Sequence, residues 1–146
     1  MEEMAIDLDV LSVSGPEATI SSGGARLAPW QIKVAKQGMA RQLRTGLRIG
    51  EVAARLELSE THFAKAFRNS VGVAPYRWFQ NARIAYAMRM LAEPQLSLSE
   101  IAAECGYSDQ SHFITAFSRA IGTTPGRWRR KRRSATNTEP LGRAAA

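Results

Sequence analysis

The side chains with the clearest chemical potential in this sequence are its cations. Residues 26–133 carry 19 Lys and Arg against seven Asp and Glu, a difference of +12. Residues 1–25 carry five acidic side chains and no Lys or Arg. A stretch this basic attracts a polyanion, because the release of condensed counterions drives the association. The alternative is a solvated basic surface without a partner, which this density of charge disfavours.

Other kinds of chemistry find little support in the residues. No Ser/His/Asp or Cys/His grouping, phosphate-binding glycine loop or zinc-binding spacing is present in the sequence. His62 and His112 occupy equivalent places before a phenylalanine, which favours packing or a phosphate contact over two ligands of one metal. Cys105 stands where a similar segment has Leu56, which favours a small core residue over a redox sensor. We therefore expect a protein that is not an enzyme and that needs no metal or other cofactor.

The middle of the chain repeats itself. Residues 49–78 align with residues 98–128, with an offset of 49 residues that becomes 50 after one extra residue in the second copy. The matched pairs include Glu51 with Glu100, Phe63 with Phe113, Phe67 with Phe117, Gly72 with Gly122, Pro75 with Pro125, and Trp78 with Trp128. So many coincidences in one segment indicate a duplicated structural unit.

Each copy has the pattern of two helices joined by a tight turn. Apolar residues at helical spacing predict a short helix over residues 49–56, and Ser59 is a suitable N-cap for the helix that follows. In the second copy Gly106 provides the turn and Asp109 the N-cap. Glu57 takes the place of Gly106, so a positive φ there would strain it by about 1 kcal/mol. A helix, a short turn and a second helix form a helix-turn-helix unit.

A long helix is predicted between the copies, over residues 75–93. It begins at Pro75, stops before Pro94 and is apolar around much of its circumference, which favours a buried rod between two small units. On this helix Arg83 is expected to be a structural ion-pair partner rather than a DNA contact. Trp78 and its counterpart Trp128 are expected in the core.

The two ends of the chain differ in composition from the middle. Residues 1–28, acidic and rich in Ser and Gly, predict a tail or linker with a short ordered patch at residues 6–13, and residues 134–146 predict a disordered tail. No apolar run reaches the roughly 18 residues of a membrane span. With one cysteine and no export signal, a cytoplasmic protein without a membrane partner is expected.

Angular positions on the second helix of each copy separate core from surface. At about 100° per residue, the paired phenylalanines point inward and a largely small, polar face points outward. The outward positions are Thr61, Ala64, Lys65 and Arg68 in the first copy, and Ser111, Ile114, Thr115 and Ser118 in the second. Few acids lie on these faces, so both can approach DNA, and in a helix-turn-helix this face enters the major groove.

Two segments carry a resemblance to the AraC/XylS family of transcription regulators. They are SLSEIAAECGYSDQSHFITAFSRAIGTTPGRWR at 97–129 and ETHFAKAFRNSVGVAPYRWFQNARIAYAMRML at 60–91. The resemblance covers about residues 30–133 and implies an all-α, homeodomain-like fold of about seven helices. It places a DNA-binding domain at residues 29–133, with helix-turn-helix units at about 47–69 and 97–119 joined by the long helix.

The resemblance also implies which residues touch DNA. Carried over by position, the base-reading residues are Thr61, Ala64, Lys65, Arg68, Gln110, Ser111, Ile114 and Thr115. The phosphate contacts are Arg48, Ser59, Arg77, Arg127, Arg129 and the run of Arg130, Lys131, Arg132 and Arg133. Contacts of the second kind position the protein without specifying sequence.

The function implied is a sequence-specific, double-stranded DNA-binding transcription regulator, expected to activate and to contact RNA polymerase or a neighbouring regulator. Residues 1–28 are too short for the effector domain that most members carry, so we expect no small-molecule effector site in this chain. It is then either a stand-alone member controlled by its own abundance, or one whose sensor lies on another chain. Two alternatives stay open: a non-specific nucleoid-type binder held by charge, and a helical protein-interaction module whose DNA face has degenerated. Titration against specific and scrambled duplexes separates them.

Overall fold

Seven helices make up the part of the chain that the structure describes. The computed structural model covers the backbone of residues 24–145 and the side chains of residues 24–135. The helices are α1 (Pro29–Ala40), α2 (Ile49–Arg55), α3 (Glu60–Val71), α4 (Pro75–Leu91), α5 (Leu98–Glu104), α6 (Gln110–Ile121) and α7 (Pro125–Ala145). No strand occurs among these residues. The predicted all-α fold, with a long helix between two helix-turn-helix pairs, is confirmed.

The N-caps predicted for the second helix of each pair are present. The Ser59 side chain accepts a hydrogen bond from the His62 amide at 3.1 Å, and the Asp109 carboxylate accepts one from the His112 amide at 2.8 Å. Each cap satisfies an amide that has no partner within the helix. The local sequence therefore determines where α3 and α6 begin.

Both of these helices also end in the same way. Gly72 and Gly122 cap α3 and α6 in the left-handed conformation, with φ of 100° and 94°. Glycine adopts this conformation without the steric cost of a Cβ atom. Pro75 and Pro125 then begin α4 and α7 as first helical residues, where a missing amide hydrogen costs nothing.

The chain divides into two compact units, with the division between Ala85 and Tyr86 inside α4. The buried residues of the first unit are Leu27, Ala35, Met39, Leu43, Val52, Ala53, Leu56, Phe63, Ala66, Phe67, Val71, Trp78, Phe79, Ala82 and Ile84. Those of the second unit are Ala87, Leu91, Ile101, Ala102, Cys105, Tyr107, Phe113 and Phe117. Each unit thus has its own aromatic core, built from the phenylalanine pair that the repeat indicates.

In each unit an arginine binds carbonyl groups at or just after the end of the helix that precedes the helix-turn-helix. In the first unit Arg83 Nε donates to the Leu43 carbonyl at 3.1 Å, and the guanidinium lies 4.7 Å from the centroid of the Phe79 ring. In the second unit Arg129 donates to the carbonyls of Leu91 and Glu93 at 3.0 and 3.1 Å. Such carbonyls have no partner within a helix, so a guanidinium that reaches them holds the helices together.

These contacts give Arg83 a structural role, made by a carbonyl and an aromatic ring, and the ion pair expected for it stays a prediction. Arg129 has its Nε and one Nη on backbone oxygens, so only its remaining N–H groups are left for the predicted phosphate contact, which also stays a prediction. Burial lowers the pKa of the Arg129 guanidinium from its ordinary value, and the positive charge of Arg133 lowers it further.

The structured part of the chain extends further at both ends than the sequence indicates. The Leu27 amide donates to Ser70 Oγ at 2.7 Å and Leu27 is buried, so the end of the expected tail packs on α3. Residues 134–145 continue α7, because lengthening an existing helix needs no new nucleation. Residues 1–23, with the ordered patch expected at residues 6–13, lie outside the described residues. None of the described helices is both long enough and apolar enough to span a membrane.

Candidate nucleic-acid interface

The outer face of α3 is the more basic of the two candidate reading surfaces. Thr61, Lys65 and Arg68 are exposed, and Ala64 is half-buried between them and the core. On the inner side Phe63 and Phe67 are fully buried, and their ring centroids lie 5.6 Å apart. We call the four outward residues Thr61, Ala64, Lys65 and Arg68 the α3 face. The phenylalanine pair fixes the rotation of the helix and so aims this face at solvent.

The outer face of α6 has the same construction with smaller, uncharged side chains. Gln110, Ser111 and Thr115 are exposed, and Ile114 is half-buried. We call these four residues the α6 face. Ser118, which the helical angles place outward, is half-buried, and its hydroxyl oxygen has no hydrogen-bond partner within the described chain.

The turns that set the angle between the paired helices are equivalent. The Leu58 amide donates to the Ala53 carbonyl at 3.0 Å, and the Tyr107 amide donates to the Ala102 carbonyl at 2.9 Å. The residue before each amide has a positive φ, 58° at Glu57 and 85° at Gly106. The positive φ expected at Glu57 is therefore confirmed, and the first turn holds a residue that disfavours it.

Most of the predicted phosphate contacts are exposed cations around the two faces. Arg77 and Arg127 are exposed at equivalent places in the first turns of α4 and α7, and Arg130 and Lys131 are exposed further along α7. Arg48 forms an exposed ion pair with Glu51 at 3.3 Å. Exposed pairs of this kind contribute little and exchange readily. Ser59 Oγ accepts the α3 cap bond, and its hydroxyl hydrogen is still able to donate to a phosphate.

The start of α7 is more exposed than the sequence indicates. Trp128, expected in the core, is half-buried, with its ring edge against Phe117 at a centroid distance of 6.0 Å. The guanidinium of Arg132 lies 5.2 Å from the centroid of the Trp128 ring. The Arg132 guanidinium thus covers part of the exposed face of the Trp128 ring. The exposed positive charge of this helix comes from the cations next to Arg132 in the sequence.

The histidines and the cysteine occupy separate surroundings. His112 Nδ1 lies 3.2 Å from Ser108 Oγ, and the ring stands edge-on to Tyr107. His62 is exposed, and Cys105 is fully buried in the second core, which confirms its role as a small core residue. Within residues 24–135 no group of three or more potential metal ligands occurs.

Two exposed aromatic residues, Trp30 and Tyr76, were missed by the sequence analysis. Tyr76 is 61 % exposed and lies beside an open depression of about 410 Å³ that Leu47, Ile49 and Arg83 also line. It precedes Arg77, a predicted phosphate contact, in the first turn of α4. Trp78 and Phe79 mark the buried side of α4, and helical periodicity places Tyr76 away from that side. This periodicity is the feature of the sequence that could have identified Tyr76 as exposed.

Two helix-turn-helix units that turn a small or basic face to solvent define a tandem DNA-binding domain. A family model described as "Helix-turn-helix domain" matches residues 52–131, which is more than half of the chain. The chain belongs to the AraC/XylS family of helix-turn-helix proteins.

Several transcription regulators are similar to part of this chain. The HTH-type transcriptional regulator Rv1931c of Mycobacterium tuberculosis is 42% identical over 60 residues, which are 41% of this chain and 23% of that protein. The HTH-type transcriptional regulator ExsA of Pseudomonas aeruginosa is 39% identical over 51 residues, 35% of this chain and 18% of that protein. The matched region spans about a quarter or less of these relatives.

Solved structures match over a larger share of the chain. The DNA-binding domain of AdpA, crystallised in complex with a target DNA, superposes with a TM-score of 0.65 at 26% identity, covering 72% of this chain and 95% of that one. The C-terminal domain of AraT, a response regulator from Geobacillus stearothermophilus, gives 0.65 at 28% identity, covering 73% and 88%. The region matched is thus a whole DNA-binding domain of this type.

Proposed function

We propose that this chain is a sequence-specific, double-stranded DNA-binding transcription regulator that reads two major-groove segments with α3 and α6. One observation carries the proposal: two duplicated helices, capped alike at both ends, present outward faces at the same positions. A helix-turn-helix inserts this face of its second helix into the major groove. The AdpA domain, a similar structure, is bound to a target DNA.

The side chains on the two faces suit different base edges. Lys65 and Arg68 are long cations that can donate to the O6 and N7 atoms of guanine, and the Gln110 amide can pair with adenine. Ala64 and Ile114 offer methyl groups to the methyl group of thymine. The first unit is therefore assigned to a guanine-containing segment, and the second to a segment with adenine and thymine.

Phosphate contacts would hold the faces in register. Arg77 and Arg127 are equivalent in the repeat, exposed, and one turn or less from the start of α4 and α7. We assign one phosphate to each unit at these positions, with Arg48 and Ser59 adding contacts in the first unit and Arg130 and Lys131 in the second. α4 has 17 residues, a length of about 26 Å, and the two units would engage successive major-groove segments about 34 Å apart.

The decisive experiment is selection of bound sequences from a random duplex pool, followed by titration of the selected and a scrambled duplex at two salt concentrations. A selected motif with two half-sites about one helical turn apart supports the proposal. Equal affinities for both duplexes would favour the nucleoid-type alternative. Absence of binding below micromolar concentrations at moderate salt would favour a protein-interaction module.

Two substitutions separate base reading from phosphate contact. Lys65→Ala should relax the sequence preference, whereas Arg130→Gln with Lys131→Gln should weaken binding to all sequences and reduce the salt dependence. Equal effects of both changes on the ratio of the selected to the scrambled affinity would contradict this division of roles.

We further propose that the regulator activates transcription and contacts RNA polymerase from a DNA-binding domain at residues 29–133. A virulence regulon transcriptional activator, VirF of Yersinia enterocolitica, is 32% identical over 66 residues, 24% of that protein. Transcription in vitro from a promoter with the selected motif upstream tests this: a rise in transcript on addition of the protein is expected, and a fall would assign repression.

A further inference from the structure

α3 has a feature that sets it apart from α6: the chain that precedes α1 is fastened to its last turn. The Asn69 side-chain amide donates to the Ala25 carbonyl at 2.9 Å, and Ser70 Oγ accepts from the Leu27 amide at 2.7 Å. The Leu27 side chain is buried. These three contacts hold residues 25–27 against the helix that carries Lys65 and Arg68.

The contact between Asn69 and Ala25 lies in line with the α3 face. Thr61, Lys65 and Asn69 are spaced by four residues, so they form one row along the helix with about 5–6 Å between successive Cβ atoms. Asn69 holds the carbonyl of Ala25, so residue 25 is fixed to the helix one turn from Lys65. Arg68 is the chain neighbour of Asn69. Any segment N-terminal to this point is tethered beside both cations.

The charges of residues 1–23 and of the α3 face are complementary. Residues 1–23 contain Glu2, Glu3, Asp7, Asp9 and Glu17 and no Lys or Arg. The side chains of Lys65 and Arg68 are exposed, and neither has an ion-pair partner within residues 24–135. A short tether raises the effective concentration of a segment to the millimolar range. Because one exposed charge pair contributes less than about 1 kcal/mol, occupancy at this concentration depends on several of the five acids acting together.

We propose that the acidic segment of residues 1–23 binds the α3 face and competes with DNA for Lys65 and Arg68. The competition rests on the proposed function, whereas the contact itself does not. The segment acts as a tethered mimic of the phosphate chain and lowers affinity for every duplex, most strongly at low salt. Every duplex has to displace the segment, so the affinities for the selected and the scrambled duplex fall by the same factor and their ratio is unchanged.

The first test detects the contact without DNA. In the full chain the five acids are replaced (E2Q, E3Q, D7N, D9N, E17Q), and amide ¹⁵N–¹H spectra are compared at low salt. We expect chemical-shift changes at residues 61–69 of α3 and none at the equivalent residues 111–119 of α6. The same replacement in a Lys65→Gln, Arg68→Gln background should leave α3 unchanged. Changes that are absent, or equal in the two helices, would overturn the proposal.

The second test measures the competition on a scrambled duplex. The neutralised chain should bind about 3–10-fold more tightly at low salt and show a steeper salt dependence, because DNA no longer displaces a bound anion. In the Lys65→Gln, Arg68→Gln background the gain should fall below about two-fold. A gain of equal size in both backgrounds would reveal general repulsion and overturn the competition. If neither chain binds DNA, the proposed function fails, and the spectra still decide the contact.

Discussion

The two helix-turn-helix units have the same backbone devices but carry different charges. Both second helices start at a side-chain cap and end at a left-handed glycine, and both preceding turns contain a residue with positive φ. On the outer faces, however, Lys65 is matched by Thr115 and Arg68 by Ser118. The comparison teaches that the duplicated part holds a helix in place, while the surface it presents is free to differ. We infer that cationic side chains contact bases in the first unit and uncharged side chains do so in the second.

The arginines that bind backbone carbonyls in the two units also stand at different positions of the repeat. Phe79 in the first unit corresponds to Arg129 in the second, and Arg83 corresponds to Arg133. These positions lie one turn apart on the same side of a helix. The first unit reaches the carbonyl of Leu43 from the later position, and the second reaches that of Leu91 from the earlier one. A guanidinium is long enough to reach carbonyls near the end of the preceding helix from either turn.

The largest expected effect concerns the tryptophans that occupy equivalent places in the two cores. Trp78 is fully buried and Trp128 is half-buried. Trp78→Ala should therefore lower the free energy of unfolding by about 3–5 kcal/mol, and Trp128→Ala by roughly half as much. Urea unfolding measures both. Trp30→Ala is the control, since that side chain is 62% exposed and its loss should cost under about 0.5 kcal/mol. Equal losses at Trp78 and Trp128 would remove the difference between the cores.

A somewhat smaller effect is expected on DNA affinity from the charge difference. Lys65→Ala with Arg68→Ala should weaken binding to the selected duplex by about 30-fold or more and reduce the preference over the scrambled duplex, because both cations are assigned to base edges. Thr115→Ala with Ser118→Ala should cost less than about ten-fold, because the side chains removed are short and uncharged. Fluorescence anisotropy with both duplexes measures these effects, and equal losses of preference in the two double variants would contradict the difference between the faces.

Removal of either N-cap side chain should lower the free energy of unfolding by about 1 kcal/mol. Ser59→Ala removes a neutral acceptor, whereas Asp109→Ala removes an acceptor and a negative charge near the positive end of α6, so the second loss should be larger. Asp109→Asn keeps the acceptor and serves as the matched control. The measurement is again the free energy of unfolding in urea, and a loss at Asp109→Asn equal to that at Asp109→Ala would assign the effect to charge alone.

The smallest effect should come from the turns. Glu57→Gly relieves a strained positive φ and should stabilise the protein by up to about 0.5 kcal/mol, because the added freedom of the unfolded glycine offsets part of the gain. Gly106→Ala creates the strain and should cost about 1 kcal/mol. Thermal unfolding followed by circular dichroism compares the two, and shifts of the same sign would contradict the equivalence of the turns.

Much of this molecule follows from residues that are neighbours in the sequence. The caps at Ser59 and Asp109, the start of α4 at Pro75 and the strained turn at Glu57 were all expected, because each depends on atoms within about one helical turn. The exposure of Lys65 and Thr115 followed in the same way from the phenylalanine pairs. Which bases or phosphates these side chains touch stays a prediction.

What only the tertiary structure decided are contacts between residues about 40 positions apart. Arg129 lies in a run of cations that suggests phosphate contacts. Nothing beside it in the sequence shows that the carbonyl of Leu91 lies within its reach. The docking of Leu27 on Ser70 and the partial exposure of Trp128 are of the same kind. Periodicity gives the side of a helix on which a residue lies, but the partner on that side is set by how the helices pack.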